Sequence, residues 1–129
     1  MNYRTMITKE ITICNTPVTL AYCFATEIAY KELAEEEIHD FLRVAFTDVQ
    51  NQKMPDIKRT IMLIVACMMA YYEDADKAPI RDSDIMKNAS PTDLGTVLGT
   101  IITLYSEFYR VPKGEPEEKP QKGKKAKNA

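Results

Sequence analysis

The sequence is poor in the groups that do chemistry. It holds one histidine, His39, and three cysteines, Cys14, Cys23 and Cys67, with no C-x-x-C pair among them. An odd number of unpaired-looking thiols fits a reducing compartment better than a disulfide framework. There is no G-x-S-x-G, no Walker glycine loop and no dinucleotide fingerprint, so a nucleophile elbow and the usual phosphate cradles are missing. The first ten residues, MNYRTMITKE, lack the apolar run of a signal peptide. The longest apolar run, Ile61 to Tyr72, has 12 residues, well short of the ~20 that cross a bilayer. These absences point to a cytoplasmic, membrane-free, non-enzymatic protein that needs no cofactor and no metal.

The residues that come nearest to a site have simpler explanations. Glu35 and His39 stand four apart on a helical segment, but two ligands do not make a metal site, and a solvated helix face accounts for them. Asp74, Asp76, Asp82 and Asp84 lack the glycine and closing glutamate of a calcium loop, which leaves loop solvation and helix capping. The cysteines lie in apolar stretches, where thiols are usually inert.

What the chain does contain is an acidic body with a basic end. The formal net charge is −2. Residues 112–129 carry six lysines and three glutamates, leaving residues 1–111 with 11 basic and 16 acidic side chains, a net −5. A folded acidic body argues against nucleic acid as partner, because nucleic-acid-binding domains place their positive charge on a folded face. The division also sets the expected organisation: a helical binding domain over 1–111 and a disordered Lys/Pro-rich tail over 112–129. After Val111 the tail has no apolar residue larger than alanine, too little to offset ~1–2 kcal/mol of ordering entropy per residue.

Hydropathy periods predict the elements. Ile7, Ile11 and Ile13, then Val18, Leu20 and Tyr22, recur at even spacing, the signature of strands with one buried face. A hairpin of 5–14 with 17–23 follows, turning through Cys14-Asn15-Thr16-Pro17. Helical spacing then predicts 25–34 with Ile28, Ala29 and Leu33 inward, 36–51 with Ile38, Phe41, Leu42, Ala45, Phe46 and Val49 inward, and a very apolar helix over 55–74. A short helix capped by Asp82 or Ser83 and running through Asn88 precedes a longer one opened by Ser90-Pro91-Thr92-Asp93, with Ser90 as N-cap. The expected fold is mainly α, an N-terminal β-hairpin packed on four to five helices.

Partner contacts are expected from adaptable or amphipathic side chains. Met62 and Met69 lie beside the main stripe of the third helix, where methionine repacks easily. Tyr71 and Tyr109 are each the outward member of an aromatic pair. Lys124 and Lys125 sit in the tail. Gly95 and Gly99, four apart in GTVLG, predict close approach of another element, with homo-oligomer formation as the second choice.

The order of elements resembles a known family. The hairpin ITICNTPVTLAYCF, the segment FATEIAYKEL, a helix–loop–apolar helix and DSDIMKNASPTDLGTVLGTIITLY together resemble, over about residues 5–110, the tail assembly chaperones of long-tailed bacteriophages and prophages. Asn15-Thr16-Pro17 and Ala34-Glu35-Glu36 stand where many of those proteins have glycine. The resemblance implies a non-catalytic protein that coats the tape-measure protein in the host cytoplasm and recruits tail-tube subunits. It also implies that Lys124-Lys125 marks the place to look for a frameshift junction. A helix-turn-helix regulator built on 83–110 is the alternative, but DLGTVLGTIITLYSEFY offers almost no base-reading side chain. A structural phage subunit is a third.

Overall fold

The computed structural model describes residues 6–110 of the 129; the Lys/Pro-rich tail, with Lys124 and Lys125, lies outside the described residues. Two strands, β1 (Ile7–Ile13) and β2 (Thr16–Tyr22), are followed by α1 (Phe24–Ala34), α2 (Ile38–Gln50), α3 (Ile57–Tyr72), a 3-10 turn (Ala75–Lys77), α4 (Asp82–Asn88) and α5 (Pro91–Arg110). The fold is mainly helical with an N-terminal two-stranded antiparallel hairpin.

The hairpin turns more tightly than the proline suggested. Ile13 pairs with Thr16, so only Cys14 and Asn15 form the loop. Both have left-handed φ, 51° and 63°, as a type I′ turn requires. Pro17 is inside β2 opposite Thr12. Pairs alternate between bonded and non-bonded along an antiparallel ladder, so with Ile13 and Thr16 closing the turn, the nitrogen of Pro17 faces the open edge and no ladder bond is lost. The buried side of β2 carries Val18, Leu20 and Tyr22. β1 packs on α5, and β2 lies against α3 and α5.

α3 is the centre of the molecule and touches α1, β2, α4 and α5. Asp56 caps it by accepting from the Arg59 amide at 2.9 Å. Every residue from Thr60 to Met68 except Met62 is buried. α5 begins as its sequence predicts. The Ser90 hydroxyl accepts from the Asp93 amide at 3.1 Å, and Asp93 accepts from the Ser90 amide at 2.9 Å. That reciprocal cap stabilises by about 1 kcal/mol.

Two helix faces differ from their apolar spacing. α1 buries Thr26, Ala29 and Tyr30, while Ile28 is 62% exposed and Leu33 40%. Hydrogen bonding explains the exchange, since buried hydroxyls are tolerated when paired. The Thr26 hydroxyl donates to the Ala21 carbonyl at 2.8 Å and accepts from the Cys23 amide at 3.2 Å; the Tyr30 hydroxyl donates to Glu36 at 2.6 Å. On α2, Ile38, Phe41, Leu42 and Ala45 are buried, but Phe46 and Val49 lie beyond the edge of the core and are exposed. The close approach expected at Gly95 and Gly99 is not found among the described residues, none of which lies within 4 Å of where a Cβ would stand on either one.

Candidate functional site

An apolar groove of about 550 Å³ runs along the outer face of α3. Ile57, Ile61, Met62 and Val65 form its floor, Leu33 of α1 one wall, and Met86 of α4 the other. A second cavity of about 190 Å³ shares Ile57, Ile61 and Met86 and runs on toward Met54 and Leu94. The two cavities adjoin at these three side chains and together form an apolar trough. Among the described residues, two charged side chains line it, Lys58 and Asp82.

The trough exists because α3 is apolar around more of its circumference than its neighbours cover. Its inner stripe is occupied by the hairpin, α1 and α5, while α4 is seven residues long and covers little of the rest. Burying such side chains is worth roughly 25 cal/mol per Å² of apolar area. Exposure of Ile57 at 55% and Met86 at 62% leaves that stabilisation open to a partner.

The second cluster of interest centres on Glu27, at the other end of α1. Its carboxylate oxygen accepts from the Tyr22 hydroxyl at 2.7 Å and from the Tyr109 hydroxyl. The His39 Nε2 lies 3.6 Å from the same oxygen, and His39 Nδ1 is 2.8 Å from the Tyr105 hydroxyl. Rings surround the group: Tyr22 stands edge-on to Tyr105 at 5.5 Å, and Phe24 edge-on to Phe108 at 5.2 Å. Burial, followed by the hydrogen bond to Glu27, pushes the Tyr22 and Tyr109 hydroxyls well above the usual tyrosine range. The cluster ties β2, α1, α2 and α5 together, which is a structural task. His39 thus faces Glu27 and Tyr105 and is partly buried in this network, whereas Glu35 ends α1 with a left-handed φ of 58°.

The expected contact residues are not gathered into one site. Met62 lies in the groove. Met69 is further along α3, half-buried against the core. Tyr71 is exposed and edge-on to Tyr72, whose hydroxyl accepts from the Thr19 amide at 3.1 Å. Tyr109 keeps an exposed ring while its hydroxyl is engaged by Glu27. Leu33, Ile57 and Met86 are groove residues missed in the sequence, the first two because their periodicity marks them for the core. Met86 sits in a helix too short to show a period.

The thiols are one buried and two half-buried. Burial raises Cys67 far above the ordinary thiol range, with Cys23 adding to the effect, and burial followed by Asp93 and Asp84 raises Cys14. Raised values disfavour the nucleophilic thiolate. Among the described residues no group of three His, Cys, Asp or Glu side chains is placed to hold a metal ion, and no helix is long and apolar enough to cross a membrane. No protein-family model, curated protein or solved structure matches the chain.

Proposed function

We propose that this chain is a non-catalytic protein-binding chaperone of the bacteriophage or prophage tail assembly type. It holds a tape-measure protein soluble in the host cytoplasm and brings tail-tube subunits to it. The observation that carries this reading is the open trough on α3, an apolar surface with methionine on its floor and wall, which suits an apolar helix of a partner. A long helical partner presents such faces repeatedly, and weak contacts repeated along it add through effective concentration. The order of elements described in the sequence supports the same reading. The nucleic-acid alternative finds less support, because α5 carries a single basic residue, Arg110.

Co-expression tests it. The wild-type chain is expected to keep a co-expressed long helical tape-measure protein in the soluble fraction and to co-purify with it. Met86→Glu places a charge on the groove wall at an exposed position and should abolish rescue while leaving the helical circular dichroism unchanged. Failure of the wild-type chain to rescue or co-purify would overturn the proposal.

A further inference from the structure

The two charged groups of the trough lie on opposite sides of it. Successive α-helical residues turn by about 100°, so Lys58 and Met62 share one edge of the α3 floor. Ile57 and Ile61 share the other edge, the one that lines both cavities with Met86 of α4. Lys58 therefore stands on the α1 side, and Asp82, at the start of α4, on the opposite wall. Both are exposed, and neither makes an ion pair with another described residue. The floor from Ile57 to Val65 is about 12 Å long at 1.5 Å per residue, and the adjoining cavity extends it. That length suits two to three turns of helix, and the walls are themselves helices that offer ridges and grooves for another.

We propose that the trough receives one amphipathic helix with an acidic flank and a basic flank, and that Lys58 and Asp82 fix the direction in which it lies. The proposal rests on the reading of the trough as the partner site. A helix laid apolar side down presents its two flanks to the two walls. Turning it end for end exchanges those flanks. One direction sets acid over Lys58 and base over Asp82; the other sets like charges together on both sides, which is disfavoured. Direction matters for a chaperone that must coat a long chain in one sense.

Two peptides of identical composition provide the test, each with leucines at helical spacing. One carries Glu along the left flank and Lys along the right, the other the reverse. A spin label at the peptide N-terminus broadens NMR signals of whichever end of the trough lies near it, read at Ile57 and Val65 of the full chain. Both peptides are expected to bind with similar affinity and in opposite directions, with the favoured direction roughly three- to tenfold more populated at low salt. Exchanging the charges with Lys58→Asp and Asp82→Lys should reverse both directions, and a peptide with Glu on both flanks should bind the wild type about threefold more weakly or worse. Because both positions are exposed, the exchanged variant should retain wild-type circular dichroism; the single variants Lys58→Ala and Asp82→Asn, each expected to weaken the preference, provide a second check.

The same direction for both peptides, or no preference in either, overturns the inference. If no peptide binds while Met86→Glu still abolishes rescue, the trough serves a partner other than a helix: the inference fails and the chaperone reading stands. If the wild-type chain rescues nothing while the peptides bind and reverse, the chaperone reading fails alone. Concentration-dependent self-association that peptides cannot displace, lost in Met86→Glu, makes the occupant a second copy and also overturns it.

Discussion

Thr26 shows what a single hydroxyl does in this core. It is fully buried, donates to the Ala21 carbonyl and accepts from the Cys23 amide, so it joins the end of β2 to the start of α1. Thr26→Val keeps the shape and leaves both backbone groups unpaired, which should cost about 2–3 kcal/mol; Thr26→Ser should recover most of it in urea unfolding. The opposite holds at Gly95 and Gly99, which are exposed on α5 with no neighbour among the described residues within 4 Å of an added Cβ. Gly95→Ala and Gly99→Ala should each stabilise by up to ~1 kcal/mol, since glycine costs that much in a helix interior. A rise in the thermal midpoint checks this. A fall, with weakened self-association, would mean instead that the small residues serve a contact between copies.

Elements were legible in proportion to how local their signals are. The start of α5 is written in Ser90, Pro91 and Asp93, and the structure shows that cap bond for bond. The presence of α3 was equally plain, because a long apolar run between Pro55 and Pro79 has few alternatives. The helix runs Ile57–Tyr72 rather than over 55–74, with Asp56 capping its start and Glu73 leaving it in a left-handed conformation. The hairpin was legible in its alternation but not in its turn. The segment Cys14-Asn15-Thr16-Pro17 reads as one turn, whereas Thr16 and Pro17 are already paired. The loop is Cys14 and Asn15, neither of which is the glycine that usually marks a left-handed position. Here the element can be improved. Cys14→Asn with Asn15→Gly supplies the residues a type I′ turn prefers, and should stabilise the protein by about 1 kcal/mol by relieving the positive φ at both positions. Unchanged or lower stability would show that Cys14, whose thiol approaches the Asp84 carbonyl at 4.0 Å, contributes more by packing than it costs in strain. The buried face of α1 was illegible for another reason. Counting apolar letters chooses Ile28 and Leu33, whereas hydrogen bonds hold Thr26 and Tyr30 inside. The groove was half legible: Met62 belongs to the expected contact residues, but Ile57 and Leu33 carry a core signature, because helical spacing marks a side chain as apolar without showing whether a neighbouring element covers it.

At the scale of the whole molecule, the buried hydroxyl and thiol groups set a limit on alkaline pH. Tyr22 and Tyr30 are buried and donate to Glu27 and Glu36, and Cys67 is buried among apolar side chains. Desolvation is the first cause of the rise in all three, reinforced for the tyrosines by their carboxylate partners. Their ordinary values are 9.0 for Cys67 and 10.0 for the tyrosines, and folding raises each of them. A group raised on folding contributes its stabilisation fully below its unfolded value and loses it as pH climbs above that value, because the unfolded chain releases the proton first. The contribution of these three groups should therefore be level through neutral pH, begin to fall near pH 9 as unfolded Cys67 ionises, and fall faster above pH 10. Each group contributes about 1.4 kcal/mol per pH unit once its unfolded form is ionised, so the slope from these three approaches about 4 kcal/mol per pH unit. A domain stable by about 5–15 kcal/mol cannot sustain that for long, and cooperative unfolding is expected a few units above neutrality. Tyr30→Phe removes one titrating group and should reduce the alkaline slope by about 1.4 kcal/mol per pH unit, even though loss of its bond to Glu36 lowers stability at pH 7. Urea unfolding of both proteins between pH 7 and 11 separates the two effects, the intercept reporting the bond and the slope the titration. Equal slopes in the two proteins would mean that Tyr30 ionises in the folded state as readily as in the unfolded chain, and that its burial does not hold the proton.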